Sequence, residues 1–130
     1  MRTLFLSFAL TSSVFLAGCL SGGGYPDSYA SAYCGTMFAC FDADSIDNVA
    51  GWDNLSDCKE EVAEDGRQTA GYDGWEEGEL TFNSDAAANC IDEVEEFQVD
   101  SDCDGRNLDF INYALFALDV AHEDCGSVYE

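Results

Sequence analysis

The sequence predicts a mainly all-α fold, a small disulfide-stapled bundle of about four helices with one long loop rich in glycine and aromatic residues. Three observations support this prediction. Apolar residues recur every three or four positions in four segments, six cysteines lie in those segments or just beyond them, and a glycine- and aromatic-rich run separates the second segment from the third. This spacing is typical of one apolar helix face rather than of a strand.

The first two helices are predicted over residues 26–41 and 55–65. Pro26 and Asp27 suit a first turn, because proline loses no hydrogen bond there and an acid favours the positive end of the helix dipole. The apolar face of the first helix repeats every four residues, at Tyr29, Tyr33, Met37 and Phe41. In the second helix, Asn54 is the expected cap and Gly66 the expected end.

The third and fourth helices are predicted over residues 85–97 and 107–122. Ser84 is the expected cap of the third, whose apolar face carries Ala87, Cys90, Ile91, Val94 and Phe97. The stripe of the fourth contains Leu108, Ile111, Leu115 and Leu118. Because the fourth segment is the most apolar part of the chain beyond the N-terminus, we expect it at the centre of the bundle.

The run over residues 67–82 is predicted to be a long loop, because the glycines in and just before it disfavour a helix, although a small hairpin near 80–82 would fit. Tyr72, Trp75 and Phe82 lie in it, with Trp52 in an earlier loop. Aromatic rings beside carboxylates suit a sugar, peptide or cationic ligand, so the run is a candidate ligand or partner loop. The alternative is that these rings cover the small core.

The N-terminus has the pattern of an export signal. Arg2 precedes an apolar run over residues 4–16, which is short for a membrane span, and the run ends in Leu16-Ala17-Gly18-Cys19. These four residues resemble the lipobox of bacterial lipoprotein signal peptides. The resemblance implies that residues 1–18 are cleaved and that Cys19 is lipidated, its new amine taking an acyl chain such as palmitate. An ordinary signal peptide with a chance cysteine is the alternative.

The lipobox resemblance also implies a location in the cell envelope, with a membrane as partner through the lipid on Cys19. In this family an Asp after the cysteine retains the protein at the inner membrane, so Leu20 favours the outer membrane. Residues 19–25 are expected to be the lipidated cysteine and a flexible tether, since Ser21-Gly22-Gly23-Gly24 resembles a flexible linker. A single helical domain over residues 26–130 is expected to follow.

The seven cysteines become six once Cys19 is set aside, an even number that suits disulfides in an exported chain. Cys34 and Cys40 are six residues apart in one predicted helix, about 9 Å of rise, so they should not pair with each other. Several connectivities stay open. We expect Cys40–Cys58 and Cys90–Cys103 to join sequence neighbours and Cys34–Cys125 to tie the ends.

A second, looser resemblance covers most of the chain after Cys19. Its motifs are Tyr33-Cys34 with Cys40 six residues on, Asp57-Cys58, Ala87-Ala88-Asn89-Cys90-Ile91-Asp92, and Asp102-Cys103. They are similar to those of small, acidic, cysteine-rich lipoproteins of myxobacteria and their relatives. The resemblance implies a helical disulfide domain and no particular activity.

The formal net charge of −23 excludes nucleic acid as a partner, because a polyanion would be repelled. Disorder is the other usual meaning of such charge, but the periodic aromatic and aliphatic residues argue against it. Adaptation of the surface to salt is one explanation of the acidity, since screening mutes repulsion. Binding of divalent cations is the other.

Calcium is the most specific cofactor hypothesis, although no cofactor is required by the sequence. Asp100, Asp102 and Asp104, followed by Gly105, fit the first half of an EF-hand loop, D-x-D-x-D-G. The second half does not fit, since Ile111 stands where a bidentate Glu belongs. The alternative is an acidic turn whose Asp104 or Asn107 caps the fourth helix. Asp42, Asp44 and Asp47 form a second acidic turn.

The sequence offers little support for catalysis or for a zinc site. His122 is the only histidine, and exported cysteines should be oxidised. Glu76 and Glu77 could form a glycosidase pair, but carboxylate pairs are common at this acid density. We therefore expect a non-enzymatic, lipid-anchored envelope protein with a binding or structural role, whose partner is an envelope protein or glycan. The alternatives are a calcium-dependent envelope protein or an acidic hydrolase.

Overall fold

Helices dominate the part of the chain that the structure describes, so the predicted mainly all-α class is confirmed. The computed structural model describes residues 20–100, 103, 105–109, 112–113, 116–117 and 123–130. Within them lie α1 (Tyr25–Cys40), α2 (Ala43–Val49), α3 (Leu55–Arg67), α4 (Ala70–Glu76), α5 (Ser84–Asp100) and α6 (Glu123–Gly126). Residues 112–113 and 116–117 are helical as well.

The three long helices lie where the apolar periodicity predicts them, and their ends differ by a few residues. Asn54 caps α3 as predicted, its side-chain oxygen accepting hydrogen bonds from the backbone N–H groups of Ser56 and Asp57. The prediction that Gly66 ends this helix is wrong, because α3 runs to Arg67. The cap of α5 is Asn83 rather than Ser84, since the Asn83 side chain accepts the N–H of Ala86 at 3.0 Å.

Two short helices replace segments that the sequence predicts as turn or loop. α2 covers the second acidic turn, and Asp42 caps it by accepting the Ser45 N–H at 2.7 Å, which lowers the pKa of Asp42. α4 lies inside the predicted long loop, where the prediction of no helix is wrong. Thr69 caps α4. A Cβ at Gly74 would lie 2.9 Å from Leu80 Cδ1, so the packing of Leu80 requires a glycine at this position. Helix propensity alone would disfavour a helix there.

The predicted start of the fourth helix at residue 107 is also wrong. Leu108 instead forms an isolated parallel bridge with Phe41, in which the Leu108 N–H donates to Cys40 O and the Asp42 N–H donates to Leu108 O. The helical turn begins after Asp109, whose side chain accepts the N–H of Asn112. The expected hairpin near 80–82 is absent from the described residues, where Phe82 pairs with Tyr129 in an isolated antiparallel bridge.

The cysteines pair differently from the expectation, which is wrong for all three bonds. The structure pairs Cys34–Cys58, Cys40–Cys103 and Cys90–Cys125, with Cα–Cα separations of 5.9, 5.1 and 4.9 Å. Cys34 and Cys40 do not pair with each other, as predicted. Helix packing decides the partners: α1 lies on α3, the end of α1 lies beside Leu108, and α5 lies on α6.

α1 is the central helix among the described elements, since it packs against both α3 and α5. The larger apolar cluster lies between α1, α2, α5 and the residues near Leu108, and Phe41 and Phe116 are fully buried in it. A smaller cluster joins the start of α1 to α5 and the C-terminal residues through Tyr25, Cys90 and Val128. No helix among the described residues has both the length and the apolar character needed to cross a membrane.

Candidate functional site

A groove between α1 and α3 is the larger of two adjoining aromatic cavities, with a volume of about 520 Å³. We call it the Trp52 groove. Four aromatic side chains line it together with small aliphatic residues and one carboxylate. The lining residues are Tyr29, Tyr33, Val49, Ala50, Trp52, Val62, Asp65, Gly66, Thr69, Tyr113 and Ala117. This volume is within the usual range for a small-ligand site.

The aromatic side of the groove follows from helical spacing on α1. Tyr29 and Tyr33 lie one turn apart, and their rings stack with centroids 5.9 Å apart. Trp52 meets the Tyr33 ring edge to face at 6.4 Å. The hydroxyls of Tyr33 and Tyr113 are joined by a 3.2 Å hydrogen bond. These contacts fix neighbouring rings, so the aromatic wall is largely preorganised.

Three contacts hold α1 and α3 at the spacing that forms the groove. The Cys34–Cys58 disulfide joins the two helices. A Cβ at Gly66 would lie 3.2 Å from Pro26 Cβ, so the helices approach closely there. Arg67 on α3 and Asp27 on α1 form a surface ion pair at 2.6 Å, which adds little stability.

The charge along the groove is negative. Asp65 on α3 lines it, and Glu61, one turn earlier, accepts a hydrogen bond from the Trp52 indole N–H at 3.0 Å. No Lys, Arg or His is among the residues that line the groove in the described part of the chain. Burial raises the pKa of Tyr29 and of Tyr33, and the hydrogen bond to Tyr113 raises that of Tyr33 further, so these phenols stay neutral at ordinary pH.

The candidate partner loop of the sequence is largely enclosed rather than open. The rings of Tyr72, Trp75 and Phe82 all pack around Tyr129, with centroids 5.9, 6.1 and 5.9 Å from its ring. Tyr72 is buried, and the other two are partly buried. Burial raises the pKa of Tyr129 to about 12. The three predicted residues therefore cover part of the core, which is the alternative that the sequence left open.

A second cavity of about 350 Å³ lies beside Tyr129, and we call it the Tyr129 cavity. It shares Tyr29, Gly66 and Thr69 with the Trp52 groove. The other lining residues come from the start of α1, from α4 and from the C-terminal part of the chain: Tyr25, Pro26, Gly71, Cys125, Gly126, Val128 and Tyr129. The cavities adjoin along one face of the molecule.

The predicted flexible tether at residues 21–24 is instead packed onto the folded chain. Gly22 is buried, and its carbonyl accepts a hydrogen bond from the Tyr129 hydroxyl at 2.8 Å. The Trp75 indole packs so closely that a Cβ at Gly22 would overlap it. Leu20 packs against the smaller apolar cluster. The packed segment thus includes Leu20, the residue that follows Cys19. Cys19 and residues 1–18 lie outside the described residues.

The calcium hypothesis falls mainly on residues that the structure does not describe. Asp100 is the exposed last residue of α5, whereas Asp102 and Asp104 lie outside the described residues. Gly105 and Arg106 adopt left-handed backbone angles, with φ of 63° and 65°. Among the described residues, no three His, Cys, Asp or Glu side chains come together as a metal site. Calcium binding therefore stays a prediction.

Of the residues considered for catalysis, the structure describes Glu76 and Glu77. Glu76 ends α4 and Glu77 is its C-cap, and both are exposed. His122 lies outside the described residues. The sequence does not distinguish Tyr29 and Tyr33 as site residues, because they have the spacing of core residues. Their helical spacing would indicate a groove only if the position of α3 were known, and the Cys34–Cys58 pairing would have given that position.

Comparison of the chain with protein-family models, curated proteins and solved structures gives no match.

Proposed function

We propose that this protein is a lipid-anchored cell-envelope protein with a non-catalytic binding role. The Trp52 groove carries the binding role, because a preorganised aromatic cavity of about 520 Å³ is suited to hold a small ligand. The lipobox-like ending of the export signal at Cys19 supports the anchor. Leu20 supports the outer membrane as the location. The lipid on Cys19 is then the contact with the membrane.

The packing of residues 20–24 adds an orientation to this proposal. Only Leu20 separates Cys19 from Ser21, whose carbonyl accepts the backbone N–H groups of Gly24 and Tyr25. One extended residue spans roughly 3.5 Å, so a lipid on Cys19 would hold the folded chain directly at the bilayer surface. The face around Leu20 and Trp75 then lies nearest the lipid headgroups, where tryptophan is favoured.

The anchor is tested by expressing the full chain in a bacterium supplied with a clickable palmitate analogue. We expect label on the protein and recovery in the membrane fraction, with both lost in Cys19→Ser. Cys58→Ser is not a suitable control, because it opens a disulfide. Ser21→Ala keeps the cysteine and should label like the parent chain. Full labelling of Cys19→Ser would contradict the anchor.

The orientation is tested by quenching of tryptophan fluorescence with brominated lipids. The chain has two tryptophans, so Trp52→Phe and Trp75→Phe each leave one reporter. We expect the lipidated protein with Trp75 to be quenched more strongly than that with Trp52. Equal quenching of the two variants would contradict the orientation. It would not bear on the lipid anchor, which the labelling experiment tests.

The binding role is tested by thermal unfolding of the full chain in a maltoside detergent against a panel of ammonium compounds, small aromatics, glycans and peptides. A ligand that binds the folded state raises the midpoint. We expect at least one compound to do so, with the effect lost in Trp52→Leu and kept in the matched variant Trp75→Leu. A panel without any such compound would contradict the binding role.

A further inference from the structure

We propose that the Trp52 groove binds an organic cation whose ammonium group carries methyl or other alkyl substituents. This inference rests on the proposed binding role and assigns its ligand class. It follows from three features of the groove in the described structure: its aromatic wall, the negative charge along it, and a lining that combines aliphatic side chains with a single carboxylate residue.

The aromatic wall is suited to a cation. Tyr29, Tyr33, Trp52 and Tyr113 all line the groove, and ring faces attract cations through their quadrupole, tryptophan most strongly. Glu61 accepts the indole N–H of Trp52, which fixes the ring and adds electron density to it. An alkylated ammonium can contact several rings at once, because it needs no directional hydrogen bonds.

The charge along the groove favours a cation over a neutral or anionic ligand. Asp65 and Glu61 lie on successive turns of α3 at this site. The basic residue nearest in sequence to Asp65 is Arg67, and its guanidinium is paired with Asp27 at 2.6 Å. The chain as a whole carries a formal charge of −23, so its field concentrates cations near the surface.

The lining fits an organic cation better than a bare metal ion. A calcium ion requires about six to eight oxygen ligands, whereas Asp65 is the single carboxylate residue that lines the groove in the described structure. The apolar side chains of Val49, Val62 and Ala117 would instead contact alkyl groups. Much of the ligand's surface would therefore be buried against carbon, with the charge balanced at the rim.

The test uses the full chain with Trp75→Phe, purified in maltoside detergent, so that Trp52 is the reporter. Choline and tetramethylammonium are titrated at constant ionic strength, and the neutral isostere 3,3-dimethylbutanol is the comparison. We expect a saturable change in Trp52 fluorescence with the cations, at concentrations about tenfold lower than with the isostere, which corresponds to two modest cation–π contacts. Equal binding of cation and isostere would overturn the proposal.

A pair of variants on α3 tests the role of the carboxylate. Asp65→Asn should weaken choline binding by about threefold, as expected for a partly solvated charge contact, and leave the isostere unaffected. Glu60→Gln removes the same charge from an exposed position that does not line the groove, so it is the matched control. An equal effect of the two substitutions would mean that only net charge matters and would contradict a site at Asp65.

Two further comparisons distinguish a free cation from a lipid headgroup as the ligand, and failure of the cation class from failure of the binding role. Saturation by soluble choline indicates a free cation, whereas a response confined to phosphocholine vesicles indicates a lipid headgroup; either supports the ligand class. A neutral glycan that saturates the Trp52 signal, with loss in Tyr29→Leu, would overturn the cation class and keep the binding role. No response to any compound in the panel would overturn both.

Discussion

Removing the Cys34–Cys58 disulfide by alanine substitution at both positions should lower the free energy of unfolding by about 3.4 kcal/mol. The bond closes a loop with a sequence separation of 24 residues. The chain-entropy relation gives a loss of about 12 cal/mol/K for such a loop, which is about 3.4 kcal/mol near room temperature. Alanine is chosen because both sites are fully buried, where a serine hydroxyl would need a partner.

The assay is equilibrium urea unfolding of the oxidised full chain in detergent, followed by far-ultraviolet circular dichroism. A lower midpoint at unchanged slope reports lost stability. The matched comparison is the double alanine variant of Cys40 and Cys103, whose separation of 63 residues predicts a larger loss, about 4.3 kcal/mol. A loss below about 1 kcal/mol for the first pair would contradict the reasoning.

The single variant Cys34→Ala tests the pairing itself. The free thiol should be on Cys58, where alkylation in denaturant, followed by non-reducing digestion and mass spectrometry, will locate it. The Cys34–Cys125 bond expected from the sequence would instead free Cys125. A label on Cys125 would refute the connectivity described above and, with it, the disulfide that braces the Trp52 groove.

Three further predictions concern the helix cap, the glycines and the tyrosines. Asn54→Ala should destabilise the protein by about 1 kcal/mol in urea unfolding, because two N–H groups of α3 lose their acceptor; an unchanged midpoint would exclude the cap. Gly22→Ala should cost about 1–3 kcal/mol because the new methyl overlaps Trp75, whereas Gly35→Ala, in open space within α1, should stabilise by about 0.5–1 kcal/mol; the same sign for both would contradict the packing. The free energy of unfolding should keep its full value below pH 10 and fall as the pH rises above it. The reason is that four tyrosines have pKa values in the folded chain above the usual 10.0, and that of Tyr129 reaches about 12. A stopped-flow pH jump that follows tyrosinate absorbance should show these hydroxyls ionising with unfolding, and fast ionisation in the folded state would contradict it. The four are Tyr25, Tyr29, Tyr33 and Tyr129.

The long helices could be predicted because their signals are local. α1 carries an apolar residue at every fourth position from Tyr29 to Met37, with Phe41 as its C-cap, and α3 has a capping residue directly before its first turn. Such signals depend on residues three or four apart along the chain, so no knowledge of the partners is needed.

The short helices and the isolated bridge at Leu108 could not be predicted in the same way. α4 contains Gly71 and Gly74, which weaken a helix in isolation, and it is supported by Tyr129 and Leu80 from other parts of the chain. The spacing of Leu108 predicts that it belongs to a helical stripe. Its N–H instead donates to the Cys40 carbonyl, and its carbonyl accepts the Asp42 N–H. In both cases contacts distant in sequence outweigh local propensity.

The candidate site shows the same division. Tyr29 and Tyr33 share an apolar helix face in the sequence, but their role at the Trp52 groove depends on where α3 lies. Trp75 and Phe82 read as an exposed aromatic loop, yet both pack against Tyr129, near the other end of the chain. Ring exposure is a property of packing, so it is not encoded by spacing alone.

The sequence by itself determined the mainly helical class, the positions of the three long helices and the acidity of the chain, because each follows from composition or local periodicity. It also carried the lipobox-like pattern at Cys19 on which the proposed anchor rests. The tertiary structure decided the disulfide partners, the enclosure of the aromatic loop, the packing of residues 20–24 and the existence of the Trp52 groove. These features depend on which helix faces pack against each other, and that packing is determined by all the buried contacts together rather than by local sequence.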